Sequence, residues 1–271
     1  LSAGNDEVGA LARDFRRMAN RIRSQMDALA TQDDRRRTFV ANISHDLRTP
    51  TAAVLGYLEG LAEDLESLPP DVVRSRLGSA VRQGDRLTRL VDQLFELARL
   101  EVAERPAQPE EFSVAELVQD VVRKYERSSR ADGVRVGATF PLDLPEALGD
   151  IGLVERALDN LIENAVRNSP SGTTVRVRLV EAAGRVRLSV EDEGPGIDEE
   201  TLSRIALGRP FDSSRTSTTG TPGGAGLGLA ITRRIAELHG GELRIDSEAG
   251  HGVAASFSLA IVETRTSMKE S

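Results

Sequence analysis

The chain has 271 residues, 39% hydrophobic but only 3% aromatic, so Leu, Val, Ile and Ala must fill the core of one large domain or two modest ones. With 43 acidic against 35 basic residues the net charge is -8, which argues against nucleic acid as a partner because phosphate contacts demand a basic face. The absence of cysteine excludes disulfides and thiolate metal ligands and suits a reducing compartment, and the three histidines, His45, His239 and His251, lack the spacing of a zinc site.

Val8, Leu11, Phe15, Met18, Ile22, Met26 and Leu29 recur at three- and four-residue steps, the seam of a coiled coil. That pattern is already under way at Leu1, as in the interior of a longer protein, while no apolar run approaches the ~18 residues of a membrane helix. Phe39, Ile43, Leu47, Val54, Leu58, Leu61 and Leu65 carry the stripe on to a break at Leu68-Pro69-Pro70. A second stripe follows at Val73, Leu77, Ala80, Gly84, Leu87, Val91, Leu94 and Ala98. Two long helices joined by a Pro-Pro turn predict an antiparallel hairpin whose narrow seam needs a partner. That partner is either a second copy, giving a dimeric four-helix bundle, or the downstream domain of the same chain. Pro50 lacks an N–H and clashes with the carbonyl of Asp46, so the helix is expected to bend or loosen beside His45.

Residues 101–111, with Pro106 and Pro109, read as a linker. From Phe112 the pattern changes: 114–128 is helical, 134–140 strand-like, and 151–168 a strong helix that Pro170 stops. Alternation at Val175, Val177 and Leu179, at Val186, Leu188 and Val190, at Leu243 and Ile245, and at Ala255, Phe257 and Leu259 predicts strands. Helices on one face of a largely antiparallel sheet make a two-layer α+β sandwich, followed by a polar tail over 263–271.

Four places carry chemistry. His45 sits beside Asp46 in a helical pattern, and a neutral imidazole near pH ~7 is both nucleophile and base. On the helix 151–168, Asn160, Asn164 and Arg167 fall at i, i+4 and i+7, with Asn168 next along. Asparagine is a poor interior helix residue, and amide oxygens suit a hard cation such as Mg²⁺ while an arginine suits phosphate. After the strand ending at Val190, Asp192-Glu193-Gly194-Pro195-Gly196 offers a carboxylate for an exocyclic amine such as that of adenine, with glycines that let backbone approach a flat ligand. Finally Gly223-Gly224-Ala225-Gly226-Leu227-Gly228 opens an apolar helix, where exposed N–H groups can cradle phosphate without a lysine. Lys124 and Lys269, the only lysines, stand in neither a P-loop nor a protein-kinase lysine context. The polar stretch 212–222 reads as a lid, His239 as a cation near a helix C-terminus, and His251 as a turn residue between Gly250 and Gly252.

Taken together and in this order, the motifs resemble those of bacterial two-component sensor histidine kinases across roughly residues 39–260. His45-Asp46-Leu47-Arg48-Thr49-Pro50 is similar to the H-box, Asn160 to Arg167 to the N-box, Asp192 to Gly196 to the G1 box, and Gly224 to Gly228 to the G2 box. Asp6-Glu7-Val8-Gly9-Ala10-Leu11 resembles the end of a HAMP relay module. The resemblance implies a HAMP remnant at 1–30, a dimerisation and histidine-phosphotransfer hairpin at 31–103, a linker at 104–111, and an ATP-binding domain of the Bergerat (GHKL) type at 112–262. It implies a homodimer that forms the cytoplasmic portion of an inner-membrane sensor, attached to the membrane only through segments outside this chain. In such a protein His45 attacks the γ-phosphate of Mg-ATP, with Asp46 as proton acceptor. Asn160 and Asn164 hold Mg²⁺ and phosphate oxygens beside Arg167 and Asn168, Asp192 reads adenine with Gly194 and Gly196, and Gly224, Gly226, Leu227 and Gly228 line the triphosphate. The phosphoryl group then passes to an aspartate of a response regulator receiver domain, and Thr49 matches the position that orients water for its dephosphorylation. Donor and acceptor belong to different domains, so the segment after Leu100 must swing.

Three positions depart from the family pattern: Asp46 where Glu is commonest, Arg167 where Lys is usual, and no second aromatic around Leu207-Gly208-Arg209-Pro210-Phe211. The competing reading is a nucleotide-responsive coiled-coil interaction module without phosphotransfer. A GHKL ATPase or serine kinase is disfavoured by the histidine-bearing hairpin.

Overall fold

The computed structural model describes residues 3–64, 67–103, 105, 108–128, 133–206 and 227–262. Its chain divides into two compact units, Leu1–His45 and Asp46–Ser271.

The first unit is helix alone. Helix α1 (Ala3–Asp64) runs through it and on into the second unit. Phe15, Met18, Ile22 and Met26 of the expected seam are between 48% and 66% exposed. Nothing among the described residues covers that helix face.

In the second unit α1 continues through Pro50, whose ring is buried, so the expected loosening does not end the helix. One turn of side-chain bonding accompanies it: Thr51 Oγ1 donates to the Leu47 carbonyl at 2.7 Å. The Pro-Pro break is where it was expected. Helix α2 (Pro70–Val102) starts at Pro70, and the Pro69 carbonyl receives the Val72 and Val73 amides at 3.0 and 3.1 Å. Proline is tolerated there because the first helical N–H has no intrahelical acceptor. Arg76 Nη1 donates to the Gly60 carbonyl at 2.8 Å and ties the hairpin arms together.

Of the expected stripe on α2 Ala80 is buried, Val73, Gly84, Leu87, Val91 and Leu94 are half-buried, and Leu77 and Ala98 are exposed. Leu90, Leu97 and Leu100 lie off that stripe and are buried, and the C-terminal end of α2 packs on helix α6 (Leu227–Leu238) of the same chain.

Among the described residues seven strands follow, in the order β1-β3-β7-β5-β4-β2, with β6 also paired to β7. They are β1 (Glu110–Phe112), β2 (Arg135–Thr139), β3 (Ala147–Gly149), β4 (Thr174–Ala182), β5 (Arg185–Glu191), β6 (Arg244–Ser247) and β7 (Val253–Ile261). Of these pairings only that of β2 with β4 is parallel. Between β4 and β5 a two-residue turn closes the hairpin, with Ala183 at φ 52 and Gly184 at φ 70. Both central residues take positive φ, the geometry that matches strand twist.

Helices α3 (Val114–Ser128), α4 (Ile151–Asn168) and α6 cover one face of the sheet. Val177, Leu179, Leu188, Phe257 and Leu259 from the strands meet Val118, Leu158, Ile162, Ile231 and Ile235 from the helices, all at most 2% exposed. The opposite face carries Arg176, Arg178 and Arg187. Period-two alternation on strands and 3.6-residue spacing on helices thus converge on one core. The short β1 lies at the end of the stretch read as linker, and β3 and α5 (Glu199–Ala206) were not anticipated. No helix among the described residues is long and apolar enough to cross a membrane.

Candidate nucleotide and phosphotransfer site

Helix α4 positions the amide stripe. Asp150 caps it, its Oδ1 accepting from the Leu153 amide at 3.1 Å, and Ser169 and Pro170 end it. The cap is held from a distance as well, because Asp150 Oδ2 accepts from the Gln108 amide at 3.2 Å.

On the stripe itself Asn160 is 6% exposed, and its Nδ2 has no hydrogen-bond partner among the described residues. A buried amide left without an acceptor costs free energy, so such an atom marks a place where something else binds. Facing this side chain is Gly228, at the start of α6; a Cβ there would lie 3.6 Å from Asn160 Cγ and 3.7 Å from its Cβ and Oδ1, so the glycine presents bare backbone to the asparagine. One turn on, Asn164 is half-buried, and Asn168 Nδ2 donates to its carbonyl at 2.7 Å and to its Oδ1 at 3.2 Å. Arg167 and Asn168 are exposed.

Asp192 stands on the loop after β5. Its Oδ1 accepts from the Gly194 amide at 2.8 Å and the Val253 amide at 3.2 Å, which fixes the carboxylate and leaves Oδ2 with no partner among the described residues. Burial raises its pKa above the ordinary carboxylate value against the pull of those two amides. Gly194 admits no side chain: a Cβ would sit 2.8 Å from both the Asn168 carbonyl oxygen and Asp192 Oδ1, so this glycine lets the loop touch the end of α4. Gly196, at φ 71, turns the chain against the Glu248 carbonyl. Ser247 Oγ then receives the Ile197 amide at 2.9 Å and donates to the Gly252 carbonyl at 2.6 Å, locking the loop to the β6–β7 hairpin.

The structure therefore brings Asn160 to Gly228, and Asn168, Gly194 and Asp192 to one another. Leu227 is buried at the first turn of α6. Gly224, Gly226 and the stretch read as a lid lie outside the described residues. His45 is exposed on α1 in the first unit, and Thr49 is exposed and Asp46 half-buried in the second. Arg86 on α2 is a residue that sequence patterning missed. Its guanidinium is held below the usual value by burial and then by Arg167, while Asp46 pulls it back up, so the acid of the H-box and the arginine of α4 act on one half-buried cation.

No cluster of three His, Cys, Asp or Glu side chains fit to hold a metal exists among the described residues. The amide donors fit Mg²⁺ of the kind that keeps waters and phosphate oxygens as most of its ligands. Asn160 and Asn164 are the side chains whose amide oxygens could contribute to such a site.

One sequence reading is corrected. His239 is not a cation: it is 8% exposed, burial lowers its pKa, and Nε2 accepts the Asp150 amide at 3.0 Å while Nδ1 faces the Ile235 carbonyl at 2.7 Å. His251 is exposed, between glycines at φ 86 and 81.

Comparison with known proteins agrees with this geometry. Residues 35–102 match the His Kinase A (phospho-acceptor) domain, and residues 149–263 match the histidine kinase-, DNA gyrase B- and HSP90-like ATPases. The sensor-like histidine kinase SenX3 of Mycolicibacterium smegmatis is 33% identical over 259 residues, spanning 95% of this chain and 65% of the relative. Among solved structures, full-length ShkA in complex with AMPPNP is 29% identical with a TM-score of 0.59, over 82% of this chain and 46% of that one. Histidine kinase ThkA in complex with response regulator protein TrrA shares the fold at a TM-score of 0.65 and 21% identity, over 82% and 61%. The chain thus spans less than two thirds of each of these proteins. Its phospho-acceptor domain, followed by a domain of the ATP-binding kind, places it in the sensor histidine kinases of bacterial two-component systems.

Proposed function

We propose that this chain autophosphorylates on His45 from Mg-ATP and passes the phosphoryl group to an aspartate of a response regulator, which it also dephosphorylates. The observation that carries the reading is the buried amide of Asn160 opposite Gly228, without a partner among the described residues, in a chain that also matches a phospho-acceptor domain. Asp192 Oδ2 accepts a hydrogen bond from the adenine amine, and Asn160, Asn164, Arg167 and Asn168 face the phosphates. Asn160 and Asn164 would hold Mg²⁺, which when bound would supply positive charge to the phosphate oxygens.

A lone pair on the His45 imidazole forms the bond to the γ-phosphorus, the bond from phosphorus to the bridging oxygen breaks, and ADP leaves with that electron pair. The ring proton passes to Asp46, the adjacent acid. In the second step a receiver-domain carboxylate takes the phosphoryl group, and the phosphorus–nitrogen bond breaks. Thr49 orients water for the hydrolytic reaction that dephosphorylates the regulator. Such chemistry asks mainly for positioning and charge neutralisation.

The active species is a homodimer, since Leu77, Val81 and Phe95 of α2 stand 46%, 62% and 71% exposed within one chain. Residues 1–30 serve as a HAMP-type relay helix into the hairpin.

Incubation with ATP labelled in the γ position tests this. The product is acid-labile, base-stable phosphoprotein, and none forms in His45→Gln; label that persists in the variant sinks the assignment. Adding candidate regulators, with and without Thr49→Ala, follows transfer and dephosphorylation separately.

A further inference from the structure

Helices α4 and α6 pack side by side. The start of α6 meets the middle of α4, where Gly228 faces Asn160. Beyond the other end of α6, His239 meets Asp150, the cap of α4. From Asp150 to Asn160 is ten residues and from Gly228 to His239 eleven, spans of about 15 and 16 Å at helical rise. The two contacts thus bracket the length over which the helices run antiparallel, and fixing one sets the register at the other.

We propose that His239 is a positioning residue for nucleotide binding: as a neutral donor–acceptor it pins the end of α6 to the cap of α4 and so holds Gly228 opposite Asn160. This rests on the nucleotide-site reading above.

Three observations support the pin. The imidazole is buried and bonded on both nitrogens, to the Ile235 carbonyl and the Asp150 amide. Gly149 makes the room, since a Cβ there would lie 2.7 Å from His239 Cδ2 and 2.9 Å from Nε2. Arg185 Nη2 donates to the His239 carbonyl at 3.1 Å and to the Ser258 carbonyl at 2.9 Å, which anchors the end of α6 to β7.

Only the Nδ1–H tautomer satisfies both ring contacts. A second proton would place N–H against the Asp150 N–H and open the pin. The charged groups facing the ring are the Asp150 carboxylate, which favours that proton, and the Arg185 guanidinium, which opposes it; burial, with Arg185 acting in the same direction, outweighs the Ile235 carbonyl and Asp150 and holds the pKa below the ordinary imidazole value. If the neutral pin supports nucleotide binding, nucleotide must in turn favour the neutral ring, because coupling is reciprocal.

The test measures Mg-ADP affinity by calorimetry on the full chain, wild type, His239→Gln and His239→Phe, near pH ~7.5 and ~5.5. A glutamine Oε1 can accept from Asp150 and cannot take a proton. The expected results are an affinity within about twofold of wild type for His239→Gln near neutrality, a loss of about tenfold for His239→Phe, which strands the Asp150 amide, and a shallower fall toward acid for His239→Gln than for wild type. Phosphate and Asp192 titrate alike in all three proteins, so the difference between profiles belongs to position 239. The His239 Cε1 resonance reports the coupling directly and needs no variant: its pKa falls on adding Mg-ADP. Superimposable pH profiles for wild type and His239→Gln, or a pKa that nucleotide leaves unmoved, overturn the proposal. Wild type that binds no Mg-ADP at either pH overturns the nucleotide-site reading itself.

Discussion

Glu96, near the end of α2, and Arg156, near the start of α4, are joined across domains. Arg156 Nε donates to the two carboxylate oxygens at 3.1 and 2.9 Å, and its Nη2 lies 2.9 Å from Oε2. Arg234 of α6 adds a second tie, donating to the Leu100 and Ala103 carbonyls at 3.1 and 2.6 Å at the end of α2, where the Leu100 carbonyl also receives the Ala103 amide. Arg156 stands one helical turn before Asn160, so the end of α2 is fastened close to the nucleotide site.

In the proposed reaction the ATP-binding domain must swing on the segment after Leu100, and these ties would oppose that movement. Both side chains of the Glu96–Arg156 pair are partly exposed, which limits it to about 1 kcal/mol and its release to about a fivefold population shift. Glu96→Gln is therefore expected to raise the initial rate of autophosphorylation severalfold at unchanged nucleotide affinity, and Glu96→Arg combined with Arg156→Glu to bring it back. A rate that falls in Glu96→Gln would show that the tie assists transfer.

Asp192 trades stability for recognition. Its pKa is raised in the fold by burial. Below the ordinary carboxylate range both folded and unfolded chains are protonated and nothing is lost. As pH rises the unfolded chain ionises first, and the folded state loses stability until the pH passes the folded value. Asp192→Asn keeps an oxygen for the Gly194 and Val253 amides without that charge. Free of nucleotide, the Asp192→Asn variant should therefore melt at or above wild type near pH ~7, with the difference shrinking toward pH ~4. Nucleotide affinity should fall about 10- to 100-fold, because a donor now faces the adenine amine. Calorimetry and thermal melts check the two halves, and a variant that melts lower at neutral pH contradicts the burial argument.

What could be read from the sequence were the features whose cause is local. Helix α4 was legible because Pro170 stops it and its apolar positions repeat, and Asp192 because a turn of glycines follows a strand. What was not legible depends on distant chain. Strands β1 and β3 are three residues each and exist by pairing with each other and, through β3, with β7, more than 100 residues away from either. Glu96 and Arg156 look like solvated helix charges until the fold sets them side by side. His239 was placed correctly at a helix end, where a cation is favourable, but its neutrality comes from the room that Gly149 leaves 90 positions earlier. Asn160 was singled out for its face, yet only packing shows that its amide is buried and that no described residue accepts from its Nδ2.

Gly228→Ala separates fold from function in the same way. Nothing forbids the methyl group: it would meet Asn160 at ordinary contact distance, and the position lies in the first turn of α6. Replacing a helical glycine by alanine stabilises by about 0.5–1 kcal/mol. The apo protein should accordingly resist urea slightly better than wild type. The methyl packs against Asn160 where the proposed site brings backbone to phosphate, so Mg-ADP affinity should drop by about tenfold or more. Equal affinity in the two proteins means that phosphate lies elsewhere.

Gly149→Ala is expected to act oppositely, on the fold first. The added Cβ meets the edge of the His239 ring at 2.7 and 2.9 Å, and Phe112 Cε1 at 3.5 Å, with Asp150 and its cap beside it. Overpacking of this kind costs about 1–3 kcal/mol. A slimmer, flexible side chain at position 239 can yield where the ring cannot, so the double variant Gly149→Ala with His239→Gln should be more stable than the sum of the single changes predicts. Urea denaturation of the four proteins measures that coupling. Strict additivity would mean that the Gly149 backbone shifts to accept the methyl group without pressing on the ring, and that the fit between these two positions contributes nothing to stability.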